Sequence, residues 1–568
     1  MQKKWFLKQS QSQMLPDVTR DLSILPLTVA ILAGRGILEP DAIRRFLTPS
    51  LADMLNPAAM KGMDAAVRRL LAAYRNGETI CIYGDYDVDG ITGTSLLVSF
   101  LRATGFDCRY FIPNRFDDGY GLNMESLDLI IKQGAGLIIS VDCGITSIEE
   151  ARFCRDQAVD LIIVDHHAPK SVLPDACAVL NPLQPGCGYP FKFLAGVGVA
   201  FNLLVALRAA QRAEGTFDAG TVPDLRQWLD LVALGTIADV VPLIDQNRIY
   251  TTQGLRLLSD PVKPGIQALK RVSGVEGTVS SGQVGFRLAP RLNAAGRMES
   301  AVPGVDLLLS TNPEQACLLA EELDSANAQR QSVERSILEE AVRMVEADTD
   351  YPALRSIVLA SPSWHQGVIG IVASRLVERF HRPVILIAID ENNSARGSGR
   401  SIPGFHLLDA LTSCSPFLER FGGHRHAAGV GLSADMIGPF TAAFEAEAVR
   451  VVSDSDLVPR LDIDVEVQPG DVTRELALEL KRLEPFGMGN PEPVLMLRCM
   501  TVVEKRVVGD GHVRLRLSRE GRTFAAIAFR MASRTLSEMI DIAFFPEMNE
   551  WNGNSTLQLR IKDLRPSE

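Results

Sequence analysis

No part of the chain leaves the fold less freedom than residues 79–240, where short apolar runs recur and end abruptly in charged or polar residues. The runs are TICIY (79–83), CRYFIP (108–113), GLIISVD (136–142) and DLIIVDHH (160–167), with helix-like stretches such as TSLLVSFLRATG and SIEEARFCRDQA between them. Strands that are apolar throughout must be covered on both faces. Helical crossovers join strands that run parallel, so the pattern predicts a parallel sheet between layers of helix. Three of the runs lead directly into YGDYDVD, SVDCG and VDHH. These segments fall at carboxyl ends of strands, the edge at which open α/β sheets bind ligands.

The remainder divides by periodicity. Over residues 313–346, Leu319, Leu323, Ala326, Val333, Ile337, Ala341 and Val345 keep helical spacing, with Glu, Arg and Gln on the other faces. This predicts one long helix, on the order of 50 Å, able to join two domains or to serve as a core helix. SIVLA (356–360), a helix from Val368 to Phe380 and PVILIAI (383–389) form a second β-α-β unit, followed by Gly-rich turns at 397–404 and 422–431. From residue 456 short alternating strands predict a small β-barrel or sandwich. The expected architecture is a multidomain α/β chain: an N-terminal segment packed on the catalytic domain (1–75), a parallel-sheet catalytic domain (76–312), a connecting helix (313–348), a second α/β domain (349–455) and a β domain (456–568).

Asp85, Asp87 and Asp89 alternate and run straight into Gly90. D-x-D-x-D-G opens an EF-hand loop, but that loop needs a bidentate Glu at its twelfth position, where this chain has Leu96. A different site emerges when the strand ends are taken together: Asp85, Asp87, Asp89, Asp142, Asp165, His166, His167 and Asp239. Carboxylates with imidazole suit Mn²⁺ or Mg²⁺ better than a thiolate zinc site. Two cations close together neutralise such crowding and can clamp a phosphate for in-line displacement. Singly, each residue has an ordinary explanation: Asp142 and Asp239 as cap or turn residues, the His pair as surface side chains. The combination from separate strand ends is what points to a metal site.

YGDYDVDG, SVDCGIT, VDHH and GTIADVVPL, in this order, resemble the DHH phosphoesterases, and within them the single-strand-specific exonucleases. RLNAAGRMES (291–300), GSGRS (397–401) and FGGHRHAAG (421–429) extend the likeness over nearly the whole chain. The resemblance implies a DHH catalytic domain, a DHHA1-type substrate domain and an OB-like barrel. It implies a two-metal hydrolase degrading single-stranded DNA 5′→3′ to 5′-mononucleotides in repair and recombination. By it, Asp87 and Asp89 each hold one cation, Asp142 bridges both, and His166 and Asp239 complete one shell, with Asp85 a further ligand or a close neighbour of one. Asp165 orients His166, and His167 meets the scissile phosphate and protonates the leaving oxygen. Many members carry a His where this chain has Tyr83. Ser398 and Arg400, with Gly423, His424 and nearby Arg291, would take the 5′-phosphate, and Arg287 and Asn293 belong to the same DNA-binding set. Family context adds a single-stranded-DNA-binding protein and a helicase as partners, and a monomeric enzyme.

A net charge of −11 means that any DNA contact must be local. Arg287, Arg291 and Arg297 occur without an acid between 286 and 298, and 498–522 holds seven basic residues against three acidic. Such a stretch makes a basic barrel face for a strand backbone. Tyr110, Phe116 and Tyr120 are candidate base-stacking residues, with core packing an equal account of Tyr110. Arg425 and His426 read as solvated loop residues. The nine cysteines form no C-x-x-C pair and are odd in number, as expected of reduced thiols. The N-terminus has no extended apolar region, and the apolar run 193–207 is too short to span a bilayer, so a cytoplasmic protein with no membrane contact is expected. Two rivals remain at this point: a phosphodiesterase of very short substrates, and a DNA-binding scaffold without activity.

Overall fold

The computed structural model describes residues 3–8, 22–114, 121–215, 223–551 and 553–567. Five parallel strands form the first sheet: β1 (Thr79–Tyr83), β2 (Cys108–Phe111), β3 (Ala135–Val141), β4 (Asp160–Val164) and β5 (Ala178–Leu180), in the order β2-β1-β3-β4-β5. Ile80, Ile82, Leu137, Ile139 and Ile162 are fully buried, as strands covered on both sides require. The chain order reverses between β1 and β3. In such sheets the crevice lies there, outside the carboxyl ends. The motifs after these two strands therefore face a common crevice.

Covering helices include α1 (Val88–Ala103), α2 (Gly196–Ala213), α3 (Leu229–Ala238) and α4 (Ala289–Met298). The apolar run at 193–207 is the start of α2, buried along most of its length. The long helix is α5 (Pro313–Ala347), 35 residues, with Leu323, Ile337, Ala341 and Val345 buried as its spacing predicts. Its middle buries polar groups instead: Arg330 donates to Asn327 and Glu334. By compactness the chain separates within α5, into a unit of Met1–Phe6 with Ser325–Leu461 and a unit of Leu7–Asp324 with Asp462–Glu568.

In the former unit, β6 (Ile357–Ser361), α6 (Ile369–Phe380) and β7 (Val384–Ile389) make the expected β-α-β unit. The Gly-rich segments that follow, expected as turns at 397–404 and 422–431, are mostly strand, with the chain turning only at 401–404 and 424–426. They form strands β8 (Ser394–Arg400), β9 (Arg420–Gly423) and β10 (Ala427–Ser433), giving the order β9-β10-β8-β7-β6. Packing explains the glycines: a Cβ on Gly397 would lie 2.6 Å from Val430 Cγ2, and one on Gly399 2.5 Å from Ile385 Cδ1.

The barrel comprises β11 (Val465–Glu466), β12 (Leu495–Val508), β13 (His512–Arg519), β14 (Arg522–Ala528), β15 (Met539–Trp551) and β16 (Asn554–Pro566). Pairing of β12 with β15 closes five of these strands on themselves. The N-terminal segment, expected on the catalytic domain, divides. Helix Met63–Asn76 packs there, but Pro26–Ala33 and Pro40–Leu47 bury Ile31, Leu32 and Ile43 in one cluster with Leu495, Phe544 and Leu559 of the barrel. PLTVAILA is apolar nearly all round, so that helix needs cover on more than one side. Buried Arg248 ties barrel to catalytic domain, donating to the carbonyls of Phe46, Arg482, Leu483 and Glu484. No helix among the described residues is long and apolar enough to cross a membrane.

Candidate metal centre

The acidic loop begins where β1 ends. Asp87 is the N-cap of α1, its Oδ1 accepting from the backbone N–H of Asp89 (2.9 Å) and Gly90 (3.2 Å). Asn293, expected to touch DNA, accepts from Val88 N–H (3.2 Å) through its Oδ1 and so braces the start of α1 from α4. Asp89 is buried against the N-terminus of α2. Its Oδ2 accepts from Gly196 N–H (2.6 Å) and its Oδ1 from Val197 N–H (2.9 Å), where the helix dipole favours a carboxylate.

Asp142 follows β3 in the left-handed backbone region (φ 63°), a strained conformation for a non-glycine residue. Its N–H is tied to the Val164 carbonyl (2.9 Å). Three glycines make room around these carboxylates. A Cβ on Gly196 would lie 2.9 Å from Asp142 Cβ, one on Gly90 2.6 Å from Asp85 N, and one on Gly235 3.0 Å from Asp89 Oδ1. Gly90 lies inside α1, as does Gly93, where a Cβ would be 2.5 Å from Val141 Cγ1. Asp239, the C-cap of α3, completes the set.

These groups converge. His166 Nε2 lies 3.1 Å from Asp142 Oδ1, 3.5 Å from Asp239 Oδ2 and 3.8 Å from Asp89 Oδ2. Three overlapping sets, Asp85–Asp87–Asp142, Asp89–His166–Asp239 and Asp142–His166–His167, each place ligand atoms within 4.8 Å of one another. Two of the atoms, His166 Nε2 and Asp239 Oδ2, are buried without a hydrogen-bond partner among the described residues. A buried polar atom left so is costly, and a cation satisfies both. The donor set, carboxylate oxygens with one imidazole, is that of Mn²⁺ or Mg²⁺.

The electrostatics agree. Burial, then the charge of Asp87, pushes the Asp89 carboxyl up to about 7. Burial and the neighbouring carboxylates hold Asp142 and Asp239 well above the usual range. Burial, then His167, lowers His166 to about 4, leaving it neutral and able to ligate. Without cations the cluster therefore retains protons.

Asp165 differs from expectation. It orients His167 rather than His166: its Oδ1 meets His167 Nδ1 at 2.8 Å and also accepts the backbone N–H of His166 and His167, while Oδ2 accepts from Ile145 N–H. Burial raises the Asp165 carboxyl, but the His167 ring and the charges of both histidines outweigh it and hold it at about 2. Burial likewise lowers His167, and Asp165 more than compensates, leaving it raised. Tyr83, where many DHH proteins carry a His, is a buried core residue whose hydroxyl donates to the Gly121 carbonyl.

The other candidates fall elsewhere. Arg291 spends its fork on Asp324 Oδ1 (2.8 Å) and on the Arg287 and Val272 carbonyls, and Arg287 donates to the Gly274 carbonyl. Tyr110 is half-buried and bonded to Asp306, which favours packing over stacking. Phe116 and Tyr120 lie outside the described residues. Ser398 and Arg400 are on β8, not in a loop, so their amides belong to the sheet ladder. Their side chains meet each other (3.2 Å) and crowd the first turn of α6, where a Cβ on Gly370 would be 2.8 Å from Ser398 Oγ and 3.1 Å from Arg400 Nη2. Side chains and a helix N-terminus form the anion-attracting corner here. Gly423 (φ 144°) ends β9, and His424 N–H bonds to the Ala427 carbonyl at the hairpin tip. On the barrel, Arg514 and Arg516 point outward between buried Val513, Leu515 and Leu517.

Sequence reasoning missed Gly196, Gly235 and Asn181. Asn181 donates to the His167 carbonyl (2.9 Å) just after the short strand β5. The GVG opening an apolar helix was a readable sign of close approach; nothing marked Asn181.

Residues 79–236 match the DHH family N-terminal domain, 353–450 the DHHA1 domain and 463–563 the RecJ OB domain. The chain is 39% identical over 574 residues to the single-stranded-DNA-specific exonuclease RecJ of Bacillus subtilis (strain 168), covering all of this chain and 71% of that protein. Crystal structures of Thermus thermophilus RecJ with Mn²⁺ (TM-score 0.85, 33% identity) and with Mg²⁺ (0.79, 32%) cover the whole chain and 80% and 79% of theirs. On this likeness along its full length, the chain belongs to the RecJ family.

Proposed function

We propose that the protein is a metal-dependent exonuclease specific for single-stranded DNA. The observation that carries this reading is the convergence of five aspartates and His166 at one sheet edge, with buried ligand atoms left over for cations. Bound there, two divalent cations, Mn²⁺ or Mg²⁺, supply Lewis acidity to the scissile phosphodiester. Asp87 and Asp89 would hold one cation each, Asp142 would serve both, and His166 and Asp239 would complete one shell. Asp85 is a further ligand. His167, kept protonated to higher pH by Asp165, presents Nε2–H to the leaving oxygen.

Ser398 and Arg400, with the first turn of α6, hold the 5′-terminal phosphate, which sets the 5′→3′ direction and releases 5′-mononucleotides. Gly423 and His424 flank that corner, and the outward arginines of β13 follow the strand backbone. Arg287 belongs to the same path, whereas Arg291 and Asn293 contribute by bracing α4. The activity serves DNA repair and recombination in the cytoplasm. We further infer a monomer that meets a single-stranded-DNA-binding protein and a helicase, on family likeness alone. We infer five segments along the chain, bounded near residues 75, 312, 348 and 455, the first of them shared between the catalytic domain and the barrel.

The test is a 5′-phosphorylated, 3′-labelled strand incubated with Mn²⁺, alone or annealed as blunt duplex. Rapid loss of the single strand to mononucleotides, abolished in Asp142→Asn, is expected. Equal degradation of both substrates refutes the strand selectivity, and activity restricted to dinucleotides transfers the protein to the short-substrate phosphodiesterases.

A further inference from the structure

The helix that braces the metal loop carries an aromatic side chain with no structural duty. Phe286 is 83% exposed. It lies in Val284–Leu288, a turn of π-helix inserted between Ser281–Gln283 and α4. Such turns are rare, occur mostly as single insertions in α-helices and are frequent at functional sites. Val284 and Leu288 are buried and anchor the turn. The surroundings of Phe286 are low: among the described residues no atom lies within 4 Å of where a Gly285 Cβ would stand, and Gly282 is exposed.

Position along the helix connects this ring with the metal centre. Pro290, Asn293 and Arg297 follow Phe286 at helical spacings of four, seven and eleven and share a broad face with it. Asn293 bonds to Val88 N–H, and α4 approaches so closely that a Cβ on Gly296 would lie 2.6 Å from the Tyr86 carbonyl oxygen. The face therefore runs from Phe286 into the acidic loop over about 10 Å. Arg287, beside the ring, is exposed and donates one N–H to the Gly274 carbonyl (2.8 Å).

The geometry points to Phe286 as a stacking platform for a base of the incoming strand, with Arg287 beside it for the backbone phosphate. The inference rests on the reading of the protein as a single-strand nuclease. Stacking on an open ring tolerates every base, as an enzyme passing any sequence requires. Bases inside a duplex have both faces covered by the neighbouring pairs, so the platform favours single strands.

The test compares Phe286→Ala, Phe286→Leu and Phe286→Trp. For a long single strand, Phe286→Ala should raise KM about 5- to 150-fold with kcat unchanged. Phe286→Trp should restore KM, Phe286→Leu should not, and hydrolysis of a dinucleotide should be the same in all. The indole of Phe286→Trp should also be quenched by oligothymidylate in buffer without added metal. An unchanged KM in Phe286→Ala, full rescue by Leu, or equal loss on the dinucleotide overturns the inference. If the wild type hydrolyses no single strand, the functional reading fails. Quenching then still reports stacking, and its absence rejects the platform independently.

Discussion

Gly196→Ala separates two opposed expectations. Judged by helix propensity, alanine for glycine in the first turn of α2 is stabilising by about 1 kcal/mol. In place, the new Cβ would lie 2.9 Å from Asp142 Cβ, 3.0 Å from its Oδ1 and 3.1 Å from its Cα. Asp142 has no room to yield, because its backbone is already left-handed and its N–H is bonded to Val164. The helix must move instead, and with it the Gly196 N–H that holds Asp89 Oδ2 at 2.6 Å. Overpacking of this kind costs about 1–3 kcal/mol, which offsets the propensity gain or exceeds it by up to about 2 kcal/mol. Displacing two ligands by a fraction of an ångström to one ångström costs on the order of 100-fold in rate. The assays are urea unfolding with and without Mn²⁺, and kcat/KM on a single strand. A variant about 1 kcal/mol more stable than wild type and equally active would refute the close-approach argument.

Other consequences follow from the same contacts. Between pH 6.5 and 8 the metal-free protein should lose stability as pH rises. Asp89 (raised to about 7), Asp142, Asp239 and His167 all hold protons more tightly folded than unfolded, so their stabilisation is full below the unfolded value and lost through the folded one. His166, lowered to about 4, has the opposite sign, but its charge in the unfolded state fades as pH rises past about 6.5 and opposes the trend only at the low end of this range. The slope should approach 1.4 kcal/mol per pH unit for each excess proton and flatten with Mn²⁺, read by thermal melts across the range. Asp165→Asn should lower kcat about 10- to 100-fold while Mn²⁺ affinity changes little, since Asp165 meets the ring of His167 and only the backbone N–H of His166, a bond the amide oxygen of Asn can still accept; calorimetry showing lost metal binding would contradict this. Arg400→Ala should erase most of the preference for a 5′-phosphate over a 5′-hydroxyl end, a factor of about 10–100, measured as the ratio of kcat/KM values.

Much of this centre was legible in the chain because strand ends announce themselves. TICIY, GLIISVD and DLIIVDHH pass from apolar to acidic within a residue or two, and sheet topology does the rest. The long helix was equally readable from its spacing. Less visible were features set by partners distant in sequence. The glycines of 397–431 read as turns because a strand glycine and a turn glycine look alike until Val430 and Ile385 stand opposite. Asp165 was paired with the wrong ring, since the choice between adjacent histidines depends on a backbone direction that spacing does not encode. Arg291 looked like a phosphate ligand because its acid partner, Asp324, lies 33 residues away.

Anomalous scattering at the manganese edge, from crystals of the protein with Mn²⁺, tests the central claim most directly. Two peaks are predicted at the β1–β3 edge, both in contact with Asp142, one with His166 and Asp239, and Asp87 and Asp89 divided between them. A single peak that leaves Asp142 untouched, or strong peaks only elsewhere, would contradict the account.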